Sequence, residues 1–385
     1  MTLSKFGHVK ISGISVVVPP KEINIYDEAQ YYDNNVKKID RMRKMVGFWK
    51  RRVVQDGITP SDLSIQAAEQ LLKDMNIDKN SIDALVYVVQ RPDNSQPATA
   101  YYIHKKLGLP SYCTATDIHQ GCPGWVYGLW MTSALIESGA CKRILMLAGD
   151  TPSAGMDLSN RISAPVFGDG GTATLIEYSE NILESYYHID TKSEGFEAII
   201  TPASGTRLHL KKDDDKFNKK LSQKIKTPSG HETMLFYGYM DGLAVFNFTI
   251  NEVPKSIKAA MAYAGITEEK TDKLFLHQAN KQIVQAVGTE SDFPLEKVPY
   301  DAFENFGNNT MCSIPTNINY LYKDNMTEDK HIVCSAFGNG LAVITGAFTL
   351  SENIYLSGVK DYVKPKDFVT QEELIEYWVK KIKGE

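Results

Sequence analysis

Cysteine is scarce in this sequence, long apolar runs are missing, and neither sign of charge dominates; each absence removes a class of protein. Five cysteines (113, 122, 141, 312 and 334) are scattered over 385 residues without a CxxC pair. An odd, dispersed set argues against a disulfide framework or a thiolate zinc site, and the compartment expected from it is a reducing cytoplasm. No apolar stretch approaches the ~20 residues of a membrane span, and Met1 to His8 lack the apolar core of a secretion signal, so no membrane association is expected. Lys and Arg number 42 against 47 Asp and Glu, a net charge of -5 that gives no global reason to expect nucleic-acid binding. Also missing are a G-x-G-x-x-G between strand and helix, a Walker lysine, a G-x-S-x-G elbow, paired acids suited to hydrolysis and any metal-ligand spacing.

What is present reads as a layered α/β chain. Hydrophobic residues make up 43% and charged residues 23%, ordinary for a globular protein long enough for two core-bearing units or one duplicated fold. Residues 8–18 read as a strand ended by Pro19-Pro20. A helical, charged stretch over 24–47 follows, with a basic cluster at Lys37, Lys38, Arg41, Arg43, Lys44, Lys50, Arg51 and Arg52. Such a run is either a solvated face or a landing site for an anionic ligand or an acidic carrier protein. Helices over 61–75 and 98–107 alternate with strands over 82–90, 114–118, 143–150 and 172–178, the pattern of crossover connections. Phe167-Gly-Asp-Gly-Gly-Thr-Ala-Thr-Leu-Ile resembles Phe337-Gly-Asn-Gly-Leu-Ala-Val-Ile-Thr-Gly; each is a glycine turn feeding an apolar strand, which suggests duplication. Residues 203–235 are polar and read as a surface excursion or lid. A helix over 242–264 is expected to break at Pro254, a short strand covers 274–277, and Thr370-Gln-Glu-Glu caps a terminal helix, Glu372–Lys383. The expected division is 1–180, a connection over 181–240, 241–352, and an appended extension over 353–385.

Within that frame the stretch 117–139 stands out. Pro123 suits a first helical turn, Val126, Leu129, Trp130, Met131, Ala134 and Leu135 recur at helical spacing, and Gly139 is a C-terminal stop. Cys122 then sits at a helix N-terminus, where the dipole and free N–H groups lower a thiol's pKa; a buried structural cysteine is the competing reading. His277 ends an apolar strand, the usual place for active-site groups in an α/β sheet, although a packed histidine has the same signature. Asn308 and Asn309 lie in a polar loop, where an amide either serves the turn or donates to a developing oxyanion.

Taken in order, these pieces resemble the β-ketoacyl-acyl-carrier-protein synthase III family of the thiolase superfamily. Gly121-Cys-Pro-Gly-Trp-Val-Tyr-Gly is similar to its nucleophile motif and Val166-Phe-Gly-Asp-Gly to its mid-chain signature. His277-Gln-Ala-Asn resembles its histidine motif, Phe306 to Pro315 its asparagine loop, and Ala336-Phe-Gly-Asn-Gly its C-terminal glycine loop. The resemblance implies a five-layer αβαβα sandwich of two duplicated halves, forming a homodimer. It implies that Cys122 takes an acyl group from a primer thioester. His277 and Asn308 (counting back from Pro315, Asn308 rather than Asn309) then stabilise the enolate that a malonyl-type extender forms on losing carbon dioxide. The backbone N–H groups of Cys122 and Asn339 form the oxyanion hole. Arg161, Gln96, Asn280, Trp49 and Lys44 are the substrate-binding candidates. Acyl-coenzyme A or acyl-acyl-carrier protein and malonyl-acyl-carrier protein are the expected substrates, in a fatty-acid, polyketide or sugar-modifying route, with no bound cofactor and no metal.

Some positions depart from the family. Asn339 stands where glycine is usual, with left-handed backbone a conformation it tolerates, Pro123 where a small residue is, Gln96 where an apolar residue reaches the partner's pocket, and Met45 where an arginine is common. Two alternatives stay open: transfer of the cysteine-bound acyl group to an oxygen or nitrogen nucleophile, and a non-catalytic scaffold that binds a carrier protein. The hydroxymethylglutaryl-coenzyme A synthase branch needs a glutamate where Tyr87 to Pro92 have no acid.

Overall fold

Two mixed sheets, each sandwiched between helices, organise the molecule. The computed structural model describes residues 2–55, 57–157, 160, 164–227 and 232–385. The first sheet runs β17 (Tyr355–Asp361), β2 (Val9–Val18), β8 (Gly170–Tyr178), β7 (Arg143–Asp150), β5 (Ala84–Val89), β6 (Thr114–His119). The second runs β1 (Thr2–Phe6), β9 (Ser185–Thr191), β16 (Ala342–Leu350), β15 (Lys330–Gly338), β14 (Lys273–Leu276). The run β2-β8-β7-β5 and the run β9-β16-β15-β14 share one pattern: two antiparallel pairings followed by a parallel one. This is the duplication that the two glycine turns suggested.

Helices complete five layers. α2 (Pro60–Asp74) and α3 (Thr99–Leu107) cover the outer face of the first sheet, and α6 (Gly242–Ala264) with α7 (Lys281–Glu290) covers the outer face of the second. Between the sheets lie α4 (Gly124–Glu137) and α9 (Ser313–Tyr322), each packed against both. The central core therefore joins Val88, Met146 and Trp125 of one half to Phe275, Cys334 and Ile344 of the other. β5 is wholly buried, as expected of an apolar strand covered on both faces. A ribbon of β3 (Lys21–Asn24) and β4 (Lys50–Val53), with α1 (Val36–Val46) and α8 (Asp301–Phe306), closes one end around Ile25, Ile39, Phe48 and Phe303. Among its described residues the connection after β9 holds a 3-10 segment (Ser193–Ala198), the two-residue ladders β10 (Ile199–Ile200) with β13 (Tyr239–Met240) and β11 (Ile225–Lys226) with β12 (Glu232–Thr233), and the short α5 (Asp215–Leu221).

Several sequence expectations need correction. Pro254 does not break α6; Val253, Pro254 and Ile257 are buried together, and that packing outweighs the roughly 3 kcal/mol a helix-interior proline costs. The buried face of α4 is Trp125, Val126, Leu129, Thr132, Ser133 and Ile136, while Met131 and Leu135 are exposed. Small hydroxyl residues were the missed signal: Thr132 satisfies itself on the Gly128 carbonyl at 2.7 Å, so polar residues occupy the tight inter-sheet layer. The stretch 24–47 is two helices, since Asp33 and Asn34 take positive φ values (58° and 53°) between a 3-10 segment over 25–32 and α1. The segment after 353 is not all appended, because β17 pairs in parallel with β2; α10 (Gln371–Lys383), headed by the Thr370–Glu373 capping box, is the exposed remainder. The basic cluster also divides. Arg51 is buried and grips Glu28 with two bonds of 2.7 and 2.9 Å, and Arg52 pairs with Asp361 at 2.9 Å. No helix among the described residues is long and apolar enough to cross a membrane.

Candidate active site

Cys122 is held on the turn between β6 and α4. The Gly124 N–H donates to the Gly121 carbonyl at 2.8 Å, and Pro123 is the N-cap, one residue ahead of the helix. The second half presses on it from β15: a Cβ on Gly338 would lie 2.8 Å from the Cys122 Cβ and 3.3 Å from its Sγ, so only glycine fits there. The helix start does not lower this thiol's pKa. Burial pushes the Cys122 thiol up to about 12, and the Asp150 carboxylate at the end of β7 adds to the shift. A helix terminus contributes ~0.3–1 kcal/mol, under one pKa unit, whereas desolvation reaches ~3–5 units; desolvation wins. At pH 7 Cys122 rests as a thiol.

His277 follows β14 and is 3% exposed, with its N–H on the Ser335 carbonyl at 3.0 Å. Its ring stands edge-on to Phe337, 5.5 Å between centroids, one residue before the glycine that touches Cys122. Nδ1 lies 2.9 Å from the Ser313 hydroxyl, which also accepts the Gln278 N–H at 3.3 Å. Assigned from that network, Ser313 donates to Nδ1 and the ring proton sits on Nε2. Burial holds the imidazole down to about pKa 4, with the Thr310 carbonyl a smaller opposing influence, so the ring is neutral at pH 7.

Asn308 is pinned through its backbone: its N–H donates to Val166 at 2.7 Å and its carbonyl accepts from Gly168 at 3.0 Å. Its Oδ1 accepts the Thr310 N–H at 3.0 Å, which leaves the NH2 as the outward donor. Asn309 instead commits its NH2 to Thr316 at 2.9 Å. Thr310 adopts φ 52°, rare for a β-branched residue, and thereby aims its N–H at Asn308 while its carbonyl faces His277. Among the described residues, neither the Cys122 nor the Asn339 backbone N–H bonds another backbone group. Asn339 itself is not left-handed; the positive φ of this loop falls on Gly340.

The substrate candidates separate. Lys44 and Trp49 share a groove of about 390 Å³ with Arg43, whose guanidinium lies 3.1 Å over the Trp49 ring, and with Lys281 of α7. Asn280 caps α7, its Oδ1 accepting the Ile283 N–H at 2.8 Å. Gln96 is exposed on the loop before α3 and does not join this groove. Arg161 lies outside the described residues. Sequence reasoning missed Thr310, Ser313 and Asp150; their spacing around Asn308 and the end of β7 was visible, but nothing in a sequence says that a threonine will take positive φ. No group of His, Cys, Asp and Glu among the described residues is placed to hold a metal.

Comparison with known proteins agrees with this geometry. The family model 3-oxoacyl-[acyl-carrier-protein] synthase III matches residues 116–195, and its C-terminal model matches 261–350. A Campylobacter jejuni protein, provisionally named 3-oxoacyl-[acyl-carrier-protein] synthase 3, is 35% identical over 365 residues, 94% of this chain and 99% of its own. A β-ketoacyl-[acyl-carrier-protein] synthase III of Streptococcus equi is 31% identical over 86% of this chain and 96% of its own. The crystal structure of a 3-oxoacyl-(acyl-carrier protein) synthase from Burkholderia xenovorans superposes with a TM-score of 0.85 at 29% identity, covering 94% of this chain and 99% of that one. Similarity along nearly the full length, on the same duplicated sandwich, places the chain in the β-ketoacyl-acyl-carrier-protein synthase III family, as an enzyme of that type.

Proposed function

We propose that the protein catalyses a decarboxylative Claisen condensation on a cysteine-bound primer. The Cys122 sulfur attacks the carbonyl of a primer thioester of coenzyme A or acyl-carrier protein. A new S–C bond replaces the carrier's, and the thiol proton leaves with the carrier thiol. A malonyl-type thioester follows. Its C–CO2 bond breaks and the electron pair passes into an enolate, whose oxygen accepts hydrogen bonds from His277 Nε2–H and the Asn308 NH2. The carbanion attacks the acyl-cysteine carbonyl, whose oxygen is received by the Cys122 and Asn339 N–H groups. Collapse breaks the acyl–Sγ bond and releases a 3-oxoacyl thioester, and the expelled Cys122 thiolate takes a proton from water.

The observation that carries this reading is the pair of neutral donors. A histidine held near pKa 4 and an amide fixed through its Oδ1 suit a developing enolate and make poor general bases, and decarboxylation generates the carbanion without a base. Simple acyl transfer to an amine or alcohol has no use for them. We further propose that the protein works as a homodimer in the cytoplasm. β6 is an unpaired sheet edge beside the exposed Tyr101 and Tyr112, which supports pairing with a second copy. The exposed bases of α1 are the proposed docking face for acidic carrier protein, and charge reversal there should weaken carrier binding.

The test is incubation with labelled malonyl and primer thioesters. Cys122→Ala should abolish the acyl adduct seen by intact mass, and His277→Ala should keep loading while losing carbon dioxide release. Transfer to an amine or alcohol without carbon dioxide release would favour an acyltransferase, and no adduct at all a carrier-binding scaffold.

A further inference from the structure

An apolar face on α10 is left uncovered by the described residues of its own chain. Leu374, Ile375, Trp378, Val379 and Ile382 recur at i, i+1, i+4, i+5 and i+8, which gathers them into one stripe along the helix. No residue of α10 is buried, and those five side chains are between 46% and 82% exposed. The strap before the helix is fastened by contrast. Tyr362 is buried with its N–H on the Val18 carbonyl at 2.8 Å, Asp367 meets Lys106 at 3.6 Å, and the Lys364 ammonium lies 3.9 Å over the Phe368 ring. A helix of 13 residues stands at the ~12–15 residue limit below which isolated helices are marginal in water, so α10 needs something to pack on.

The charges say what that is. Glu372 and Lys383 are eleven residues apart, which at about 100° per residue places them on the same edge of the stripe, three turns apart along the axis. The helix dipole accounts for an acid at one end and a base at the other, but not for the edge they share. An antiparallel copy of α10 laid on the stripe, with the two-fold axis beside Trp378, sets Glu372 of each copy level with Lys383 of the other and Leu374 level with Ile382. An isologous contact needs such a self-complementary patch. On the opposite edge Lys381 lies over the Tyr377 and Trp378 rings at 5.4 and 5.5 Å. A lipid surface fits less well: Glu372, Glu373 and Glu376 balance Lys380, Lys381 and Lys383, which leaves no net positive charge to draw the helix to anionic headgroups.

We propose that α10 pairs antiparallel with α10 of a second copy, a contact separate from the β6 edge and independent of the condensing reaction. Two such helices fall short of the ~1,200 Å² of a stable stand-alone interface, so the pairing shows itself as a concentration-dependent step.

The experiment is sedimentation of the full chain over a range of protein concentrations, with the thermal midpoint as the check on folding. The native protein should pass to a larger assembly as concentration rises. Trp378→Glu, a charge in the middle of the stripe, should remove that step without moving the thermal midpoint. Glu372→Lys makes the edge basic at both ends and Lys383→Glu makes it acidic at both, so each variant alone should need about tenfold more protein to associate. An equimolar mixture of the two should associate as the native protein does, because each basic end then meets an acidic one; a helix end that was merely weakened would not be mended by mixing. Native protein that sediments as Trp378→Glu does at every concentration, or a mixture no stronger than its components, would overturn the inference. Binding of the native protein, and not of Trp378→Glu, to phosphatidylglycerol vesicles without self-association would overturn it in favour of a lipid surface. None of these outcomes bears on Cys122 loading, so the condensing function stands or falls separately.

Discussion

The two glycine turns of the duplicated halves occupy equivalent places, after β7 and after β15, yet each serves the other half. The first-half turn holds the second half's asparagine: Gly168 donates to the Asn308 carbonyl at 3.0 Å, and Phe167 bridges to Asn308. A Cβ on Gly168 would meet the Phe306 carbonyl oxygen at 2.0 Å. The second-half turn holds the first half's Cys122, through the contact of Gly338 with that residue. One turn is reached by a long connection from Asp150 to Gly170, the other by a hairpin from Gly338 to Ala342. Duplication supplied the same backbone device twice, and the site was built by crossing them over.

That comparison can be broken one turn at a time. Gly338→Ala should act most strongly: displacing Cys122 by about 1 Å is expected to slow acyl loading about 100-fold, measured by intact mass. Equal loading would show that the β15 turn does not position the cysteine. Gly168→Ala should spare loading and reduce carbon dioxide release from malonyl thioester, with a stability loss of about 1–3 kcal/mol in urea unfolding from overpacking against Phe306. If loading suffered first, the crossover would be wrong. Ser313→Ala frees the His277 ring to take the other tautomer, and condensation should fall about tenfold while loading changes less than twofold.

The smallest effects are in pH. With the Cys122 thiol near 12, thiolate grows about tenfold per pH unit, so alkylation by iodoacetamide should rise without a plateau from pH 7 to 10. His277 near 4 stays neutral as pH falls from 7 to 5, so decarboxylation should show no acid limb from this residue in that interval. The unfolded histidine, by contrast, takes up its proton near 6.5. Between 6.5 and 4 the unfolded state therefore binds more protons, and this residue's contribution to stability is lost as pH falls through that window. A plateau in alkylation below pH 8 would restore the helix-start account of the thiol.

The sequence made the places of Cys122, His277 and Asn308 in the fold legible because each sits beside glycine, proline or a strand end that marks a local turn. The duplication was legible for the same reason. What it hid depends on distant partners. Arg51 reads as one more surface base until Glu28 and the Pro165 carbonyl surround it. Thr310 reads as an ordinary loop residue until Asn308 fixes its N–H. The Cys122 thiol was misjudged because a helix start is local, whereas its desolvation comes from the opposite sheet. α4 was misread because apolar periodicity marks the buried face only when one side is buried, and this helix is flanked by two sheets.

The order of the strands along the chain carries a consequence for synthesis. β1, made before β2, belongs to the sheet of the second half, and β17, made after the other strands of its sheet, closes the sheet of the first half beside β2. On the ribosome the early-made sheet therefore waits, with the β2 edge unpaired, until residues 355–361 have emerged. A product released early presents that edge, fully apolar from Ile14 to Val18 apart from Ser15, to chaperones and proteases or to another nascent chain.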